Sequence, residues 1–153
     1  MSESRSSLAP PPLVFHILRI ALGGIFVYAA VLKIADPGRF LIAIRSYQLL
    51  PDPWAPLVAL CLPWLEILVG IALIIRRPYK ASLVLVGGML TVFLFAIVSG
   101  WVRGLDLDCG CFGGDAESGD YTQLIGRDLV FFLMLAGLVW DYRRSRGEAF
   151  AEG

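Results

Sequence analysis

The segment Asp108-Cys109-Gly110-Cys111-Phe112-Gly113-Gly114 sets two thiols one residue apart. Such a pair closes a disulfide only if the backbone bends sharply, and Gly110 permits that bend. A strained, exposed disulfide is a stronger oxidant than a structural one, so Cys109 and Cys111 are candidates for thiol–disulfide exchange. Asp106 and Asp108 disfavour a thiolate, and an opposing cation such as Arg127 would offset them. The plainer alternative is a polar loop with a static disulfide or two idle thiols. Glu66 is the second candidate. It is the lone charge of an otherwise apolar stretch, where a carboxylate is expensive and by default marks a functional site. Its structural alternative is an ion pair with Arg127. Cys61 lies in the same stretch, either as a small apolar packer or as a third exchanging thiol.

Three cysteines and one histidine leave little for a metal. Zinc takes four nitrogen or sulfur ligands, and His16 is predicted at the opposite end, so no metal is expected. The rival is a soft-metal site, in which Cys61, Cys109 and Cys111 together hold an ion such as Cu(I). An odd cysteine count also argues against a simple disulfide scaffold. Zero net charge points to no nucleic acid.

The elements that must position these residues are membrane spans. The chain has 153 residues, 58% of them hydrophobic, and a mean hydropathy of +0.73. A soluble domain of this size cannot hide so much apolar surface. Four stretches approach the roughly 20 residues that cross a bilayer as helix. They run about 13–34, 54–75, 81–102 and 122–140. Asp36-Pro37-Gly38 breaks the first, and Arg76-Arg77-Pro78-Tyr79-Lys80 is a basic turn after the second. His16, Arg19 and Lys33 fit interfacial snorkelling. Pro63 should kink the second span. Gly87-Gly88 offers the third span a close approach to a neighbour. Residues 39–50 bring Phe40, Ile44 and Tyr47 onto one face and read as a short amphipathic helix lying on the membrane surface or capping the bundle. Asp120, three residues before Gln123, resembles a helix start. Trp54, Trp64, Trp101 and Trp140 read as interface anchors. The expected fold is an all-α bundle of four transmembrane helices, spanning 13–142, with the amphipathic helix between spans one and two. Residues 1–12 form a disordered tail without a signal-peptide pattern, and 143–153 form a basic, disordered tail.

The positive-inside rule places both termini and the middle turn of this bundle in the cytoplasm. Arg76, Arg77 and Lys80 flank the middle turn, and Arg143, Arg144 and Arg146 follow the last span. The cysteine loop is acidic and falls outside, on the periplasmic face, where disulfides persist.

These residues resemble a known family. Tyr28, then Lys33-Ile34-Ala35-Asp36-Pro37, Phe40, Tyr47 and Leu50-Pro51, then Leu62-Pro63-Trp64-Leu65-Glu66 and Gly70, then Asp108-Cys109-Gly110-Cys111-Phe112-Gly113 and Arg127-Asp128 are similar to the MauE (methylamine utilisation) family and the wider DoxX-like membrane proteins. The resemblance covers roughly Leu18 to Trp140. It implies a four-helix membrane protein supporting maturation of the disulfide-rich small subunit of methylamine dehydrogenase, beside a thioredoxin-like partner. The architecture also resembles the quinone-linked thiol oxidoreductases related to vitamin K epoxide reductase. That implies a thiol–disulfide oxidoreductase activity with Cys109 and Cys111 as the exchanging pair. Glu66 and Arg127 would support the pair or a quinone, with Lys33 and Tyr47 as further quinone or polar-cluster residues. Two departures stand out: Asp128 occupies a position where the resemblance leads us to expect Asn, and Cys-x-Cys replaces the Cys-x-x-Cys of the epoxide reductase group. A non-catalytic membrane assembly factor is the third reading.

Overall fold

The computed structural model describes residues 12–105 and 121–151. Cys109, Cys111, the acidic residues around them and the Asp120 cap lie outside that range. The described residues form α1 (Pro12–Ala35), α2 (Pro37–Ser46), α3 (Trp54–Ile75), α4 (Tyr79–Val102) and α5 (Tyr121–Ala151). Four of these helices are long and apolar enough to cross a membrane: Leu13–Ala35, Trp54–Ile75, Tyr79–Val102 and Tyr121–Ser145. The chain is an all-α, four-span membrane protein. The spans alternate in direction, so α2 and residues 103–105 share one end of the bundle and the 76–78 turn marks the other.

Large apolar side chains face outward on all four spans, among them Ile17, Leu60, Leu68, Val84 and Leu133. In water such a surface would aggregate; in lipid it is ordinary, because helix backbones satisfy their own hydrogen bonds. The four tryptophans are all exposed. Inside, Leu22 and Phe26 of α1 pack with Val69 and Leu73 of α3, Val86 and Leu90 of α4, and Leu135 and Leu138 of α5. Lipid tails are as apolar as leucine, so close packing rather than water exclusion must hold these helices together.

The closest approach is between α1 and α3. A Cβ placed on Gly70 would stand 2.7 Å from the Gly23 carbonyl oxygen, and one on Gly23 would stand 2.8 Å from the Gly70 oxygen. The Gly87-Gly88 pair expected to serve this purpose does so only in part. A Cβ on Gly87 would meet Leu135 at 3.3 Å, and one on Gly88 would meet nothing within 4 Å.

The Asp36 carboxylate accepts a hydrogen bond from the Arg39 backbone N–H at 2.9 Å and caps α2, with Pro37 at its first turn. Phe40 and Ala43 are buried beneath it, while Ile42 faces out. α2 therefore lies across its end of the bundle with the expected face inward. Pro63 lies within a continuous α3. The basic run after the last span is not a disordered tail: α5 continues through it to Ala151.

Candidate functional site

A cavity of about 410 Å³ opens beneath α2, between α1, α3, α4 and α5. Its wall is apolar except for Lys33, Tyr47, Glu66, Arg127 and Asp128. The sequence singled out four of these five as site residues. The structure brings all four, Lys33, Tyr47, Glu66 and Arg127, to one chamber.

Their pairing differs from expectation. Glu66 forms its ion pair with Lys33, and both side chains are buried, at 2% and 4% exposure. Lys33 therefore does not snorkel to the headgroups. The reason is helix geometry. Relative to the Gly23–Gly70 crossing, Lys33 is about 15 Å along α1 and Glu66 about 6 Å back along α3. Helical side chains lean toward their own N-terminus. In antiparallel helices Lys33 leans down and Glu66 leans up, and together they close the remaining gap of about 9 Å. The Lys33 ammonium also sits over the rings of Phe40 and Phe93, 5.0 and 5.2 Å from their centroids. These faces stabilise a desolvated cation that water cannot reach.

Arg127 pairs with its neighbour Asp128 at 3.4 Å, and Asp128 is 2% exposed. Asp128 was noted only as a departure from a resembling pattern. The signal that drew attention to Glu66, an acid deep in an apolar span, applied equally to it. One oxygen of each buried carboxylate, Glu66 Oε2 and Asp128 Oδ2, has no hydrogen-bond partner among the described residues. A buried acceptor without a donor is costly, so each is positioned to receive one from a group beyond the described residues.

Cys61 does not join this chamber. It is exposed, and the α3 part of the wall is Val58, Leu62 and Glu66. It is neither a buried packer nor, from that position, aimed at the charged residues. No group of three or more His, Cys, Asp or Glu side chains suited to a metal occurs among the described residues.

The α2 end is tied together. Arg103 at the end of α4 donates to the backbone oxygens of Tyr47 (3.1 Å) and Gln48 (3.4 Å). Arg45 holds both oxygens of Asp52 at 3.1 and 3.0 Å, fixing the turn between α2 and α3. The Tyr121 hydroxyl donates to the Leu105 carbonyl. The two described residues that flank 106–120 thus meet at the end of the bundle where the cavity lies.

These features define a polytopic helical membrane protein with a buried, charged chamber near one face. The chain belongs to the MauE family. The family profile described as "Methylamine utilisation protein MauE" matches residues 11–141. The methylamine utilization protein MauE of Paracoccus denitrificans is 33% identical over 143 residues, covering 93% of this chain and 77% of the relative. That of Methylorubrum extorquens is 34% identical over 135 residues, covering 88% and 73%. That of Paracoccus versutus is 31% identical over 127 residues, covering 82% and 68%. No solved structure matches the chain.

Proposed function

We propose that the chain is a membrane thiol–disulfide redox protein serving methylamine utilisation. Cys109 and Cys111 exchange with a thioredoxin-like partner outside the membrane and so support maturation of a disulfide-containing protein of the methylamine dehydrogenase type. The partner's dithiol becomes a disulfide. The Cys109–Cys111 disulfide takes up the two electrons and two protons and becomes a dithiol. A membrane quinone or a second membrane disulfide then reoxidises it.

The observation that supports this reading is the Tyr121–Leu105 bond, which joins at the cavity end the two described residues that flank the cysteine-bearing segment. Family membership supports the pathway. Charge supports the orientation. Arg76, Arg77 and Lys80 mark the opposite end, and basic flanks favour the cytoplasm. The cysteine end then faces the oxidising side, and both termini face inward.

Trapping tests the exchange. Replacing one cysteine leaves the other unable to resolve a mixed disulfide. Either Cys109→Ser or Cys111→Ser is expected to accumulate a partner adduct on non-reducing gels, and the double variant none. If neither single variant traps a partner and alkylation finds both thiols permanently reduced in intact cells, the proposal fails.

A further inference from the structure

We propose that the end of the bundle opposite the cavity holds the phosphate of an anionic phospholipid, with Arg19 and Arg76 as its ligands. The site stands on the geometry of that end and does not depend on the thiol reading.

Here α1 begins, α3 ends, α4 begins and α5 leaves the core. Tyr79, the first residue of α4, is buried and meets the Tyr142 ring of α5 edge-on, with centroids 5.7 Å apart. The Arg76 guanidinium carbon lies 5.4 Å from the Tyr79 centroid. Arg76 is held there by a left-handed backbone, φ 67°, and by its N–H donating to the Leu73 carbonyl at the end of α3. Arg19 of α1 comes to the same place. Its charge, like those of Arg76 and Asp141, acts on the Tyr79 hydroxyl. Two guanidiniums thus stand around one buried ring with a single carboxylate to oppose them.

Arg19 carries the observation that points to a ligand. Its Nε is buried and has no hydrogen-bond partner among the described residues. None of Arg19, Arg76, Arg77 and Lys80 takes part in a salt bridge between described residues. A buried donor left unmade is costly, and more so on a cation. A guanidinium can present Nε–H and an Nη–H side by side to two oxygens of one anion, and phosphate matches that fork. Placement decides which phosphate. Arg19 lies about 9 Å of helix rise inside the span that begins at Leu13. Its side chain leans toward the start of α1 and so toward the membrane surface. Ile17 and Ile20 beside Arg19, and Ile75 beside Arg76, are exposed on the lipid-facing surface. A phospholipid sets its phosphate on the arginines and its acyl chains over these isoleucines, which a free anion would leave uncovered. Arg77, Lys80 and Arg143 are exposed at the same end and favour a lipid of net negative charge over a zwitterionic one. A phosphate bound this way ties α1 to the turn before α4, much as Arg103 ties α4 to α2 at the other end.

Thermal unfolding reads the binding. The full chain is purified, delipidated in a neutral detergent and titrated with dioleoyl phosphatidylglycerol in mixed micelles. A ligand that binds only the folded state raises Tm according to its affinity. Saturable stabilisation is expected with phosphatidylglycerol and little with phosphatidylcholine. Arg19→Gln should raise the half-saturating lipid concentration about thirtyfold, the loss of a charge-assisted hydrogen bond. Arg76→Asn should cost a comparable factor, since asparagine tolerates the left-handed backbone and only the cation is lost. Arg77→Gln, on the same turn but outside the cluster, should cost at most about fivefold, the share of one basic residue near a charged surface. Equal stabilisation by phosphatidylcholine overturns the proposal. So does equal stabilisation by sodium phosphate at matched ionic strength, which would make the ligand a free anion. An Arg77→Gln loss as large as that of Arg19→Gln also overturns it, because binding would then be diffuse attraction to a basic face. Arg76 lies in an exposed turn, so its variant keeps the test valid if Arg19→Gln folds poorly.

Discussion

Lys33→Met alone is expected to destabilise the bundle by about 3–5 kcal/mol, and adding Glu66→Leu is expected to recover most of the loss. Removing one partner of a buried ion pair strands a charge in a low dielectric, which is what makes the single change severe. Removing both leaves apolar side chains of similar volume, and such replacements are often neutral or stabilising. The pair is 4% and 2% exposed, so solvent cannot rescue either member. Phe40 and Phe93 add to the effect, since their faces stabilise the Lys33 ammonium and would remain to pack against a methionine. Reversible SDS unfolding in mixed micelles would measure it. If the two single variants and the double variant were equally stable, the pair would be energetically idle. If the double variant is stable yet no longer supports methylamine utilisation, the pair is kept for function rather than for the fold. Sequence left those two roles of Glu66 open, and this cycle separates them.

The same pair shows what the sequence could and could not reveal. Span boundaries were readable because four long apolar runs are punctuated by Asp36-Pro37, by Pro51-Asp52-Pro53, by Arg76-Arg77-Pro78 and by the Arg103 turn. Hydropathy and helix breakers act locally, and local signals survive in one dimension. Glu66 was visible as a candidate for the same reason. Its partner was not. Counting helix rise puts Lys33 at the very end of α1 and Glu66 about 18 Å into α3, which hides the contact. The contact depends on opposite side-chain lean in antiparallel helices and on how closely those helices cross. Cys61 failed in a related way. Its place in the second span was readable, but which face of a uniformly apolar helix turns outward is fixed by neighbours, and no polar stripe recorded it. The Tyr121–Leu105 closure has no sequence signature at all, because its partner is a backbone carbonyl.

The α1–α3 crossing provides the second large effect. Gly70→Val is expected to abolish stable folding, and Gly70→Ala to destabilise by about 1–3 kcal/mol, the usual range for overpacking. The atom in the way is a backbone oxygen, Gly23 O at 2.7 Å, with Val27 Cγ2 at 2.9 Å beside it. A flexible side chain could swing aside, but a helix backbone can yield only by moving the whole helix. That movement would separate α1 from α3 at the fulcrum that sets the reach between Lys33 and Glu66. Gly88→Ala is the matched control, since its Cβ meets nothing within 4 Å and alanine is the better helix former. It should leave stability unchanged or slightly raised. Membrane accumulation and SDS unfolding would compare the three. Equal stability of Gly70→Ala and Gly88→Ala would show that the crossing does not hold the bundle. If the crossing does position the ion pair, the loss from Gly70→Ala should shrink in the Lys33→Met/Glu66→Leu background, because there is no longer an alignment to disturb. A loss of the same size in both backgrounds would mean that the glycines act through helix packing alone.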